Sequence, residues 1–129
     1  MTGSSCLLDT CIVIDIFRNK LLAEKLDEFE NVYISSITLG ELYFGAYHST
    51  SPSKKIQQIK DLSNNLALLI PDMETAQMYG QIKTRLKQKG KPIPENDIWI
   101  ASIALQHQLP LYTSDNHFTE VDSISLINL

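Results

Sequence analysis

Long apolar stretches are missing from this chain of 129 residues. No run approaches the about 18 consecutive apolar residues that a membrane-spanning helix needs. The opening residues MTGSSC also lack the basic and apolar regions of an export signal. We therefore expect neither membrane insertion nor export, and we expect a cytoplasmic location.

Cysteine is scarce, since Cys6 and Cys11 are the only two in the sequence. They lie five residues apart, with no second pair and no histidine close by in the sequence. Zinc sites usually draw on two such pairs, so this spacing argues against one. Two reduced thiols in a reducing compartment are the expected state.

The chain also lacks an excess of positive charge, because 15 acidic and 11 basic residues give a net charge of −4. Proteins that coat nucleic acid nonspecifically rely on Lys and Arg to neutralise phosphates, so this class is disfavoured. Locally the balance differs, since Lys83, Arg85, Lys87, Lys89 and Lys91 follow one another closely. Such a run is typical of a solvated helix end. Alternatively, it contacts a phosphate backbone, with Arg85 and Lys87 as candidate RNA contacts.

Short apolar segments alternate with helical patterns along the whole chain. The predicted strands cover residues 4–8, 31–35, 67–70, 109–113 and 123–127. Strands that alternate with helices indicate a mainly parallel sheet covered by helices on both faces. The chain shows no internal repeat and no low-complexity linker. We therefore predict one α/β domain over residues 1–129, with three α/β/α layers and a five-stranded sheet.

Several helix boundaries can be read from local residue types. Ser51 and Pro52 are typical of a helix start. A helix that begins after Pro71-Asp72 is expected to stop at Gly90. A further helix over residues 20–29 is predicted to turn Leu21 and Leu22 inward.

Four acids occupy similar places in this pattern. Asp9 follows the first strand, Glu41 lies in the first turn after the second, Asp97 opens a helix, and Asp115 follows the fourth strand. In parallel sheets the carboxyl ends of strands and the neighbouring helix starts form the ligand-binding crevice. We therefore expect the four acids to converge there.

Each acid also has a local explanation. Asp9 suits a helix N-cap. Thr38-x-x-Glu41 matches a capping box, in which the glutamate bonds back to the first amide of the helix. Asp115 lies in turn-forming sequence. Capping does not by itself predict four acids at one edge of one sheet.

Converging acids would repel one another and favour a cation. At about 5 Å and an effective dielectric constant of about 20, each ionised pair repels by roughly 3 kcal/mol. Oxygen ligands without imidazole or thiolate favour Mg²⁺ or Mn²⁺ over zinc. Ions held in this way are suited to phosphoryl chemistry, so hydrolysis of a phosphodiester is the expected reaction.

These motifs resemble those of the PIN-domain ribonucleases, most closely the VapC-like toxins of bacterial toxin–antitoxin pairs. The similar blocks are LLDT at residues 7–10, ISSITLGEL at 34–42, IPEND at 93–97 and LPLYTSD at 109–115. The resemblance implies metal ligands at Asp9 and Asp97, with Glu41 and Asp115 completing the acidic pocket. It also implies supporting or phosphate-contacting roles for Thr10, Asn96, Thr113 and Ser114.

The resemblance further implies a Mg²⁺-dependent endoribonuclease that leaves 5′-phosphate ends, with Mn²⁺ as a possible substitute. It implies a homodimer silenced by a VapB-like antitoxin that covers the groove. One departure from the family pattern is Cys11, where many relatives carry Asn. A weak thiol there replaces an amide donor and leaves the acids intact.

Other functions stay open at this point. A housekeeping PIN nuclease for RNA processing would share the acids and lack an inhibitor, whereas a non-catalytic PIN-fold binding module would not need them. A phosphatase with an aspartyl nucleophile is disfavoured, because no second Asp follows Asp9 by two positions. His48, His107 and His117 are far apart in the sequence, so we expect no role at the site for them. Trp99 is expected to pack in the core or at a dimer interface.

Overall fold

The computed structural model describes residues 4–128, and for residues 20–22 it describes the backbone only. The opening segment and the side chains of Leu21 and Leu22 therefore lie outside the described residues. Between residues 4 and 128, no helix is long and apolar enough to cross a membrane.

The elements are β1 (Ser5–Leu8), α1 (Thr10–Arg18), α2 (Lys20–Lys25), β2 (Asn31–Ser35), α3 (Ser36–Tyr47), α4 (Pro52–Ser63), β3 (Ala67–Leu69), α5 (Met73–Lys89), α6 (Glu95–Gln106), β4 (Leu111–Tyr112) and β5 (Leu126–Ile127), with 3-10 helices at Leu26–Glu28 and Asn116–Glu120.

All five strands pair in parallel, in the order β3-β2-β1-β4-β5. In the central register, Leu8 lies opposite Ile34 of β2 and Tyr112 of β4. The predicted α/β/α architecture with a five-stranded parallel sheet is thus confirmed. The chain winds outward from β1 in one direction and then returns to add β4 on the other side. Such a reversal opens a crevice at the carboxyl ends of the two strands involved.

The sheet separates two apolar cores. Alternate side chains of a strand point to opposite faces. Leu7 and Leu111 pack against α5 and α6, whereas Leu8 and Tyr112 pack against α1, α3 and α4. Helix α6 is buried along most of its length, including Ile100 at 0% exposure. It therefore shows little of the one-sided apolar pattern of a surface helix.

Two predicted strands are shorter in the structure. Strand β4 begins at Leu111 rather than at residue 109, because Pro110 has no N–H for the ladder. Strand β5 begins at Leu126 rather than at residue 123, where Ser123 has a φ of 67° and leaves the extended conformation. The predicted helix over residues 20–29 ends as an α-helix at Lys25 and continues as a 3-10 turn.

The predicted bounds of α4 and α5 are confirmed. Helix α4 begins at Pro52. The carboxylate of Asp72 accepts a hydrogen bond from the Thr75 amide at 3.1 Å, and α5 ends at Gly90, which has a φ of 68°. Glycine adopts this left-handed conformation without the strain that a Cβ would cause.

The burial of two isoleucines predicts different losses in the free energy of unfolding when each is replaced. Replacing the fully buried Ile100 by Ala should lower the free energy of unfolding by about 2–5 kcal/mol, since it removes apolar contacts and leaves a cavity. The matched change at Ile70, which is 62% exposed, should cost no more than about 0.5 kcal/mol. Urea unfolding followed by circular dichroism measures both. Equal losses for the two variants would contradict this assignment of the core.

Candidate active site

Asp9 lies where β1 ends, at the point where the chain order reverses. Its amide donates to the carbonyl of Tyr112 at 3.0 Å, which places it beside the end of β4. Its carboxylate is only 3% exposed. Oδ1 accepts from the Thr10 amide at 2.8 Å, as in an N-cap, and Oδ2 accepts from the Thr113 hydroxyl at 2.8 Å. Asp9 therefore caps α1 and also presents a fixed carboxylate at the crevice.

The thiol of Cys11 takes part in the same network. Its Sγ donates to Asp9 Oδ2 at 3.3 Å and accepts from the Ser114 hydroxyl at 3.3 Å. Burial raises the pKa of the Cys11 thiol, so it remains a donor at neutral pH. Where many relatives are expected to carry an amide, this chain thus retains a hydrogen bond to the acid.

Glu41 reaches the site from α3, but not as the capping box that the sequence suggests. That expectation is wrong, because α3 already begins at Ser36 and its N-cap is Ser35, whose hydroxyl accepts from the Thr38 amide at 3.1 Å. Glu41 lies more than a turn into the helix. Its Oε1 accepts instead from the Thr10 hydroxyl at 2.7 Å. Thr10, which follows Asp9 directly, therefore connects Glu41 to the other acids.

Asp97 and Asp115 lie close together, with carboxylate oxygens within 4.8 Å of each other. Asp97 lies in the first turn of α6 and its side chain is 13% exposed, whereas Asp115 follows β4 and is 34% exposed. The hydroxyl of Thr113 joins this pair to Asp9, because it donates to Asp9 and accepts from the Asp115 amide at 2.9 Å. The structure thus gathers Asp9, Asp97 and Asp115 at one edge of the sheet, with Glu41 beside them. We call these four residues the acidic site.

A histidine that the sequence gave no reason to select lies inside this cluster. Nδ1 of His117 is 3.0 Å from Asp97 Oδ2 and 3.1 Å from Asp115 Oδ1. The His117 amide also donates to Asp115 Oδ1 at 2.9 Å, which starts the 3-10 helix at Asn116–Glu120 and turns the ring back toward the acids. His117 therefore lies beside the acids, although the sequence gave no reason to expect a role for it there. The sequence signal that could have indicated His117 is its position two residues after Asp115.

The charges in the cluster influence one another. The pKa of Asp97 is raised to about 6, chiefly by burial and also by the charges of Asp9 and Asp115, against the lowering effect of the hydrogen bond from His117. The hydrogen bond to Asp97 raises the pKa of His117, and the charge of Asp115 adds to this effect. Asp97 thus ionises less readily in the metal-free protein than an ordinary carboxyl does, and a cation among the acids would favour its ionised form.

Of the supporting residues that the sequence suggests, some contact the acids and one does not. Thr10 and Thr113 donate to the acids directly, and Ser114 contacts them through the thiol of Cys11. Asn96 is exposed at the start of α6, next to Asp97 in the sequence. Its contact with phosphate stays a prediction.

The basic run of α5 is partly paired with acids. Arg85 lies 3.4 Å from the carboxylate of Asp122, and Lys89 lies 2.6 Å from it. Lys89 also donates to the carbonyl of Glu120 at 2.9 Å, which connects the end of α5 to the 3-10 helix that carries His117. The predicted RNA contacts of Arg85 and of the exposed Lys87 stay predictions.

Trp99 packs between α5 and α6. Its ring stacks on that of Tyr79, with centroids 4.2 Å apart and planes inclined by 15°. Lys83 lies 5.5 Å above the same tyrosine ring and pairs with Glu95. The aromatic pair therefore joins the two helices, in agreement with a packing role for Trp99.

A groove of about 360 Å³ lies beside Glu41, between α1, α3 and α4. Apolar side chains such as Ile14 and Phe17 line it, together with the cations Arg18, Lys54 and Lys55. It therefore offers both apolar surface and positive charge directly next to the acidic site.

The acidic site fits a divalent cation. One oxygen each of Asp97 and Asp115 and one nitrogen of His117 lie within 4.8 Å of one another. Asp9 adds a buried carboxylate that is close enough to raise the pKa of Asp97. Clustered carboxylates that repel one another, with an imidazole among them, are a donor set that a divalent ion satisfies.

Comparison with known proteins gives one family for this chain. The PIN domain family model matches residues 6–124. Ribonuclease VapC2 of Haemophilus influenzae is 38% identical over 113 residues, which cover 84% of this chain and 85% of that protein.

Solved structures agree with this match. The VapBC2 complex of Rickettsia felis, bound to a DNA fragment from its promoter, contains a chain with a TM-score of 0.89 and 26% identity, over 96% of this chain and 98% of that one. The VapBC-1 complex of nontypeable Haemophilus influenzae contains one with a TM-score of 0.88 and 30% identity, over 96% and 97%.

The site predicts an unusual titration in the metal-free protein. The carboxyl of Asp97 should titrate near pH 6. His117→Ala should raise this pKa further, because the substitution removes the hydrogen bond that favours the carboxylate. Mg²⁺ should lower it. Carbon-13 NMR of the side-chain carboxyls in EDTA-treated protein measures these pKa values, with Asp97→Asn to assign the signal.

His107→Ala is the matched control, since His107 is exposed and lies at the far end of α6. It should leave the titration of Asp97 unchanged. An Asp97 that titrates near the ordinary value of about 4 would contradict the electrostatics described for the site.

Proposed function

This chain belongs to the PIN-domain family, and on that premise we propose that it is a Mg²⁺-dependent endoribonuclease that acts as the toxin of a toxin–antitoxin pair. One observation carries the catalytic part of the proposal. Asp9, Asp97 and Asp115 come from distant parts of the chain and gather where the strand order reverses. The toxin part draws on the similar proteins, which include a ribonuclease VapC and chains of VapBC complexes.

The acids have defined tasks in this proposal. Asp97, Asp115 and Asp9 would hold a divalent ion, and Glu41 would complete the site from the side of Thr10. When bound, such an ion activates water for attack on the phosphodiester and stabilises the leaving oxygen. Mg²⁺ is the ion we propose for the cell, with Mn²⁺ able to replace it.

The hydrogen bonds around Asp9 support this role, because they fix its carboxylate before substrate arrives. Donors come from the Thr10 amide, the Cys11 thiol and the Thr113 hydroxyl. A carboxylate held in this way need not reorganise when an ion binds, which favours both binding and catalysis.

RNA would approach the exposed side of the acidic site. Asn96 and Ser114 flank Asp97 and Asp115 in the sequence and are both exposed, so they are our candidates for phosphate contacts. Arg85 and Lys87 would contact the strand farther along α5. We place this activity in the cytoplasm and propose that the chain works as a homodimer.

We propose a VapB-like antitoxin as the protein partner. The groove between α1, α3 and α4 suits a peptide segment with apolar and acidic side chains, because it combines apolar walls with Arg18, Lys54 and Lys55. Since Glu41 lines the same groove, a segment bound there would lie directly beside the acids and exclude RNA.

The catalytic proposal predicts the effect of one substitution. Loss of a residue that only supports a metal ligand typically costs about 10- to 100-fold in activity. Asp9→Asn removes a proposed ligand itself, so it should reduce Mg²⁺-dependent RNA cleavage by more than this. The fold should persist, because the amide oxygen can still accept from the Thr10 amide in the place of Oδ1, while the amide nitrogen in the place of Oδ2 can donate to the Thr113 hydroxyl. Cleavage of RNA by purified protein, with sequencing of the ends with and without EDTA, measures this loss and should show 5′-phosphates. Asp27→Asn, at an exposed acid of the Leu26–Glu28 turn, is the control that should cleave normally. Full cleavage by Asp9→Asn would reject the site.

The toxin role predicts a growth phenotype. Expression of the intact chain alone in a bacterial host should arrest growth, because uncontrolled RNA cleavage stops translation. Asp9→Asn should be harmless at the same protein level, and co-expression of the cognate antitoxin should restore growth. Harmless expression of a protein that still cleaves RNA in vitro would favour the housekeeping nuclease instead.

A further inference from the structure

His117 is aimed into the acidic site although its side chain is 49% exposed. Its ring has solvent available on one side, yet Nδ1 lies within hydrogen-bond distance of both Asp97 and Asp115. The hydrogen bond from its own amide to Asp115 fixes the backbone that carries the ring. The imidazole is therefore held among the acids by the local turn.

The spacing of these atoms matches neighbouring positions around a metal ion. Two adjacent ligands of an octahedral ion with bonds of about 2.1 Å lie about 3 Å apart. Nδ1 of His117 lies 3.0 Å from one carboxylate oxygen and 3.1 Å from the other. A small movement of the three side chains would thus bring all three ligand atoms within bonding distance of one central ion. A proton on Nδ1 gives the alternative arrangement, in which a charged imidazole pairs with both acids.

We propose that His117 binds the divalent ion through Nδ1, together with Asp97 and Asp115, and makes the site bind Mn²⁺ more tightly than Mg²⁺, a difference in affinity that leaves Mg²⁺ as the ion proposed for the cell. This inference rests on the proposed function, because the same acids hold the ion in both. Mg²⁺ favours oxygen ligands and keeps several waters, whereas transition-metal ions accept an imidazole nitrogen readily. One nitrogen in an otherwise carboxylate site therefore shifts the balance between the two ions.

Cys11 and Glu41 do not account for such a preference. The thiol of Cys11 already donates to Asp9 and its pKa is raised by burial, so it stays protonated and is a poor ligand. Glu41 offers oxygen only. Among the side chains that the structure places around the acidic site, His117 is the one that can supply a nitrogen donor, once the ion displaces any proton from Nδ1.

Electron paramagnetic resonance tests this directly with Mn²⁺ as the probe. Pulsed measurements on the wild-type protein should detect coupling of the bound Mn²⁺ to a nitrogen nucleus, and titration should show Mn²⁺ binding about 10-fold or more tighter than competing Mg²⁺. His117→Ala should lose the nitrogen coupling and about 10-fold in Mn²⁺ affinity. Its Mg²⁺ affinity should change much less. His107→Ala, as the matched control, should behave like the wild type.

The outcomes separate this inference from the proposed function. Mn²⁺ that binds to the wild type without nitrogen coupling would overturn the role of His117 and leave the acidic metal site standing. The same holds if His117→Ala keeps the wild-type preference for Mn²⁺. If the folded wild-type protein binds neither ion, both the inference and the proposed nuclease function fail.

Discussion

The pairing of β4 with β1 is the constraint on which the site depends. Because these strands run in parallel and end side by side, the residue after β1 and the residues after β4 leave the sheet at the same point. Asp9 and Thr113 are 104 positions apart in the chain, yet a hydrogen bond of 2.8 Å joins them. The same pairing carries Asp115 and His117 to the first turn of α6. A different strand order would keep every local motif and scatter the acids.

Much of this arrangement could be predicted because it is encoded locally. Strand ends and helix starts follow from apolar periodicity and capping residues, and these local signals predict similar settings for Asp9, Asp97 and Asp115. The strand order could not be predicted, since nothing local states which strand pairs with β1. Glu41 shows the same limit, because its capping-box explanation assumed that the helix begins at Thr38. The hydroxyl of Ser35 caps the helix instead, and Glu41 becomes available to Thr10.

The position of His117 is the feature of the site that the sequence pattern indicates least. Its partner Asp97 lies 20 positions away, and the contact depends on a short 3-10 turn that Asp115 itself initiates. The donors at the site therefore include more than the carboxylate oxygens that the sequence indicates. A thiol and an imidazole both lie at the site, and they differ in their tasks. The thiol of Cys11 donates a hydrogen bond to Asp9, whereas the imidazole of His117 contacts Asp97 at 3.0 Å, at the position that we propose for a metal ligand.

The cations of α5, among which Arg85 is a proposed RNA contact, are held in ion pairs in the protein alone. Lys83 pairs with Glu95, while Arg85 and Lys89 share Asp122. These side chains are substantially exposed, and exposed ion pairs contribute only about 0–1 kcal/mol to stability. A phosphate can therefore replace a carboxylate at little cost, since the cation exchanges one anion for another. The pairs connect α5 to the start of α6 and to Asp122, and they leave the positive charge of α5 available to the RNA strand that we propose to cross that surface.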